Sequence, residues 1–134
     1  MATILCIDDD PLILEILRAL LTHSGGSVLT ATDGISGIAL ARQHNVDVVV
    51  LDFHMSGLDG NQVAQVLMRE DPTLPVVVWS GSVDNIPECL KWFADAVLRK
   101  EDGTEALVST VEEIVASKEM SSRRPARARQ RLSA

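Results

Sequence analysis

The sequence predicts a doubly wound α/β fold: a five-stranded parallel sheet with five helices on its two faces. Two observations predict it. Short apolar runs alternate five times with stretches whose apolar residues recur at helical spacing, and the run Val48 to Leu51 is unbroken, as in a strand covered on both faces. With 134 residues and 46% hydrophobic composition, the chain has enough material for one domain with a real core.

Each element has its own signal. "TILCI" (3 to 7) is the first strand; Asp10 then caps a helix with Pro11 at its first position, and Ile13, Ile16, Leu17, Leu20 and Leu21 share one face. Gly25 and Gly26 stop that helix. "SVLTA" (27 to 31) is the second strand, followed by a helix capped by Asp33 that runs to about Gln43 and carries Ile35, Ile38, Ala39 and Ala41. Val48 to Leu51 is the third strand. Asp59 caps the next helix, with Val63, Val66 and Leu67 facing inward, and Pro72 and Pro75 end it. "VVVWS" (76 to 80) is the fourth strand, a short helix starts near Pro87, and "DAVLR" (95 to 99) is the fifth strand. Thr104 caps a last helix in which Leu107, Val108, Val111, Ile114 and Val115 recur at helical spacing.

Several function classes drop out. Residues 1 to 116 carry a net charge of −12 and residues 117 to 134 a net charge of +5. An acidic body is a poor nucleic-acid binder. The domain is therefore read as residues 1 to 117. Residues 118 to 134, ending "SSRRPARARQRLSA", are read as a basic, disordered tail, for which a nucleic-acid or partner hook is the minor reading beside a solubilising segment. The N-terminus carries acids where a signal peptide would carry Lys or Arg, and no apolar stretch is long enough to insert in a membrane; a cytoplasmic protein is expected. Cys6 and Cys89 read as reduced core residues, and His23, His44 and His54 lack zinc-site spacing.

In a doubly wound sheet, ligands bind beyond the carboxyl ends of the strands. Those ends carry Asp8, Asp9 and Asp10 (first strand), Asp52 (third), Ser80 and Gly81 (fourth), and Arg99 and Lys100 (fifth). Clustered carboxylates are tolerated when a hard divalent cation such as Mg2+ (or Mn2+) neutralises them. With Lys100 beside it, such a pocket would attract a phosphoryl group, and a carboxylate there could attack phosphorus to give an acyl phosphate. Asp10 and Asp59 are read as helix caps, and Gly60 as a residue serving backbone geometry.

Four stretches, "ILCIDDDPLILEILRALL", "VDVVVLDFHMSGLDG", "VVVWSG" and "AVLRK", resemble in order and spacing the receiver domain of two-component response regulators, over about residues 2 to 117. The resemblance implies the flavodoxin-like strand order 2-1-3-4-5 and a single-domain, chemotaxis-regulator-like protein. It implies that Asp52 accepts a phosphoryl group from a sensor histidine kinase or phosphotransfer protein, and that the output is contact with a downstream protein or phosphorelay. By the same resemblance Asp9, Asp52 and the His54 backbone carbonyl ligate Mg2+, with Asp8 assisting through water. Ser80 then binds a phosphoryl oxygen, Lys100 pairs with the phosphoryl and the carboxylates, and the His54 and Ser82 side chains tune access of hydrolytic water.

The chain departs from the family pattern at several positions. Glu101 follows Lys100 where proline is usual, Ser56 follows Met55 where proline is usual, and Val97 stands where a Tyr or Phe swings inward on activation. The span from Ser80 to Lys100 is about two residues short, Phe93 replaces a common glycine, and an exposed Trp92 could form a partner surface. Trp79 is read as core filling. Two competing functions follow: a receiver-like binding module that signals without phosphorylation, on account of Val97 and Glu101, and a Mg2+-dependent phosphohydrolase. The second is opposed by the place of the candidate nucleophile: such enzymes carry a D-x-D signature on the first strand, whereas Asp52 is on the third and is followed two residues later by His54.

Overall fold

The computed structural model describes residues 2–122. Its elements are β1 (Thr3–Ile7), α1 (Pro11–His23), β2 (Ser27–Ala31), α2 (Gly34–Gln43), β3 (Val48–Leu51), α3 (Gly60–Glu70), β4 (Val76–Ser80), α4 (Glu88–Phe93), β5 (Ala96–Arg99) and α5 (Thr104–Ser122). A one-turn 3-10 helix, Lys100–Asp102, joins β5 to α5. The sheet is parallel throughout, as the sequence pattern predicts, in the order β2-β1-β3-β4-β5 that the resemblance implies.

Strand alternation divides the interior into two layers. Leu5, Ile7, Val49, Leu51, Val76 and Val78 pack with Ile38, Val63, Leu67 and Leu90, the inward faces of α2, α3 and α4. Ile4, Cys6, Val48, Val50, Val77 and Trp79 pack on the other side with Leu14, Leu17 and Leu21 of α1 and Leu107 and Val111 of α5. Because β1 and β3 are covered on both faces, they are nearly invisible to water, and their carboxyl ends are fixed relative to each other.

Helix starts follow the capping chemistry read from the sequence. Asp10 accepts from Leu12 N–H, Asp33 from Ser36 N–H at 2.7 Å, and Asp59 forms a reciprocal capping box with Gln62. Thr104 is the first helical residue of α5 rather than its cap; it follows Gly103, whose φ of 90° suits glycine. β5 starts one residue later than expected, because Asp95 turns its carboxylate onto Val76 N–H at 3.0 Å and so closes the start of β4.

Several facing assignments need correction. α1 buries Leu14, Leu17 and Leu21, whereas Ile16 is 45% exposed; a helix apolar around most of its circumference does not reveal which stripe meets the sheet. α2 buries Gly34, Gly37 and Ile38 and leaves Ile35 exposed, since a Cβ on Gly37 would collide with the Ile7 side chain. Cys89 lies on the outer face of α4 and is exposed, not a core residue, while Cys6 is buried and its thiol is pushed up to about 12 by burial. α5 continues past the composition change near 117, where Lys118 holds it to β3's approach by donating to the Asp47 carbonyl at 3.3 Å. The rest of the predicted tail, residues 123–134, lies outside the described residues.

Candidate functional site

The carboxyl ends of β1 and β3 lie side by side, since Ile7 pairs with Leu51 and Asp52 N–H donates to the Ile7 carbonyl at 2.9 Å. The next residues of each strand are therefore brought together. Asp8, Asp9 and Asp52 each offer an oxygen within 4.8 Å of the others; Asp8 and Asp52 are buried and Asp9 is exposed at the rim. Asp10 stands apart from this group as the cap of α1, as read.

Lys100 closes the fourth side. Its ammonium donates to Asp8 Oδ2 at 2.7 Å and lies 3.7 Å from Asp52 Oδ2. Asp8 Oδ1 accepts from Asp10 N–H at 2.9 Å, which fixes the rotamer facing Lys100. On Asp52, Oδ1 accepts from His54 N–H at 3.3 Å. Burial, then the charge of Asp8 and to a lesser degree that of Asp9, pushes the Asp52 carboxyl up to about 6, against the pull of Lys100 and the His54 N–H.

This electrostatic imbalance is a test of fit for a cation. One ammonium faces three carboxylates, two of them buried, so oxygen ligands are in excess of the positive charge present. A hard divalent ion suits such a donor set, and the set offers neither imidazole nor thiolate that would favour a softer metal.

The remaining predicted residues sit one step away. Ser80 is fully buried at the end of β4, and its Oγ accepts from Ser82 N–H at 3.4 Å. The His54 side chain turns away from the carboxylates, is edge-on to Phe53, and its Nε2 lies 3.1 Å from the Ser82 carbonyl. His54 and Ser82 therefore form one bridge between the β3–α3 and β4–α4 loops. Spacing alone did not reveal this contact. Nor did it reveal that the Trp79 ring lies under Lys100, with the ammonium 5.5 Å from its centroid. The available signal was register: Trp79 pairs with Leu98, two residues before Lys100.

Comparison with known proteins matches residues 4–112 to the response regulator receiver domain family. Over 76 residues the chain is 41% identical to the probable transcriptional regulatory protein TcrX of Mycobacterium tuberculosis, a match covering 57% of this chain and 32% of TcrX. The chain thus spans about a third of the length of that relative. Among solved structures it is similar to the response regulator TrrA of Thermotoga maritima in complex with Mg2+ and BeF, with a TM-score of 0.80, 26% identity, and coverage of 85% of this chain and 99% of that one. It is similar also to a structure of TrrA in complex with the histidine kinase ThkA, with a TM-score of 0.78, 26% identity, and coverage of 86% and 99%.

Proposed function

Since the chain belongs to the response regulator receiver domain family, we propose that it is a phosphorylation-operated signalling protein whose phosphoacceptor is Asp52. One observation carries the reading: three carboxylates and one lysine, from the ends of three different strands, converge on a single point. The related TrrA domain, seen with Mg2+ and BeF and with a histidine kinase, supports both the metal and the donor class.

Asp8, Asp9, Asp52 and the His54 backbone carbonyl would hold Mg2+ or Mn2+. That ion supplies charge neutralisation for the nucleophile and the phosphoryl oxygens. The protein's residues do the rest. Asp52, anchored at Oδ1 by the His54 N–H, presents its other oxygen to phosphorus; a P–N bond to the kinase histidine breaks as the O–P bond forms, and the imidazole nitrogen keeps the electron pair. Lys100, already within 3.7 Å of Asp52, follows the added negative charge. Ser80 exchanges its bond with Ser82 N–H for one to a phosphoryl oxygen, drawing in the β4–α4 loop. His54 and Ser82, bridged across the opening, govern how water reaches the acyl phosphate.

The output is contact with a downstream protein or onward phosphotransfer. A cytoplasmic setting fits two free cysteines, and among the described residues no helix is long and apolar enough to cross a membrane. The domain is read as residues 1–117, with α5 running on to Ser122, followed by a basic segment. Incubation with acetyl phosphate and Mg2+ should add one phosphoryl group by intact mass, and Asp52→Asn should abolish it; label that persists in the variant would refute the assignment.

A second reading is favoured by one observation. Val97, where the switch ring of the family stands, is half-buried against the core and has no ring to reorient, so the domain could bind its partner without phosphorylation. Partner affinity unchanged by Asp52 labelling would select this reading.

A further inference from the structure

We propose that Trp79 is a positioning residue for Lys100: its indole face is the platform that holds the ammonium between Asp8 and Asp52. The proposal rests on the phosphoacceptor reading and adds a residue to it. Lys100 carries three donors on a flexible four-carbon stem, a group that needs lateral support to hold one place. Asp8 fixes one direction at 2.7 Å. The residue that follows gives no support, because Glu101 turns outward to accept from Arg99 at 3.2 Å.

Trp79 supplies the missing side. β4 and β5 are paired with Trp79 opposite Leu98 and Ser80 opposite Arg99, so Lys100, the first residue beyond β5, stands just past the end of the strand that Trp79 lies beside. The ammonium lies 5.5 Å from the ring centroid, inside the range of a cation–π contact, and the lysine side chain is only 21% exposed, which strengthens the attraction.

Packing alone does not account for an indole here. Trp79 is 5% exposed, and its Nε1 has no hydrogen-bond partner among the described residues. A buried, unsatisfied N–H is costly, and Phe or Leu would fill the α1/α5 layer without it. What the indole offers instead is the most electron-rich face of any side chain.

The test is a double-mutant cycle on the full chain, reading the initial rate of Asp52 labelling by acetyl phosphate in Mg2+. Trp79→Leu should slow labelling about threefold to fivefold when Lys100 is present and not at all in a Lys100→Met background, while Trp79→Phe should stay within about twofold of the unaltered chain. Equal slowing by Trp79→Leu in both backgrounds, or Trp79→Phe as slow as Trp79→Leu, would overturn the proposal. A second measurement does not depend on phosphorylation. With Trp92→Phe, Trp79 is the remaining tryptophan, and Lys100→Met should then shift its fluorescence emission. An unchanged emission removes the contact. Absence of label on the unaltered chain would instead refute the phosphoacceptor reading, with the fluorescence result still deciding whether Trp79 holds Lys100.

Discussion

The two halves of the sheet's carboxyl edge are built differently. On the β1/β3 side every residue of β3 is buried, α3 begins with a full capping box, and three carboxylates are set to within 4.8 Å. On the β4/β5 side α4 has six residues and no side-chain cap, and β5 is half-buried and ends exposed. Trp92 and Phe93 stand out into water at 84% and 72% exposure. The side that gathers the carboxylates is over-determined. The side of α4 and β5 is lightly held, as elements that change state generally are.

The largest effect should therefore come from the rigid side. Gly60 opens α3 directly beneath the acceptor loop, and a Cβ there would lie 2.5 Å from Phe53 Cα and 3.0 Å from the Asp52 carbonyl oxygen. Both obstacles are backbone and cannot swing away. Gly60→Ala should cost about 3 to 4 kcal/mol in urea unfolding, because the strand end must shift to admit one methyl group. A cost below about 1 kcal/mol would mean that the β3–α3 loop is as yielding as the β4–α4 loop, and the contrast would fail.

The same rigidity stores an electrostatic penalty. Folding raises the Asp52 carboxyl from an ordinary 3.8 to about 6, so without a divalent ion the native state gives up stability as pH climbs. Below about pH 4 the group is protonated folded or unfolded and costs nothing; between about 4 and 6 the unfolded chain ionises first; above about 6 the penalty is complete. In EDTA, Asp52→Asn should thus be more stable than the unaltered chain by up to about 3 kcal/mol at pH 7.5 and equal to it near pH 3.5. Mg2+ should close most of that gap. Urea melts across this pH range measure the difference, and a gap that does not depend on pH would remove burial of charge as its cause.

This contrast also explains what could be read from the sequence. The strand ends were legible because an unbroken apolar run places its next residue with little freedom, and Asp8, Asp52, Ser80 and Lys100 stand where the pattern puts them. Caps at Asp10, Asp33 and Asp59 were legible because the chemistry is local. Facing was not. Ile16 and Ile35 are as apolar as their buried neighbours, and only the packing of whole helices, including the glycine contact of α2 with Ile7, decides which stripe goes in. Contacts between loops, such as His54 with Ser82, depend on tertiary approach and leave no spacing in the chain.

The smallest effects should fall on α4, and they separate anchoring from display within six residues. Leu90 is 3% exposed and is part of the α2/α3/α4 layer, so Leu90→Ala should cost about 2 to 3 kcal/mol despite the weak local structure. Two residues on, Trp92 points into water, and Trp92→Ala should change stability by less than about 0.5 kcal/mol. Phosphorylation of Asp52 by acetyl phosphate should be equally indifferent to it, because the ring is 84% exposed and stands on α4 rather than at a strand end that carries the carboxylates or Lys100. A large exposed indole that can be removed without loss of fold or chemistry is available for a contact outside the chain, and the helix that carries it follows Ser80 through the loop the phosphoryl group would pull. If Trp92→Ala unfolds the domain as readily as Leu90→Ala does, α4 is a structural strut and the lightly held side is no output surface at all.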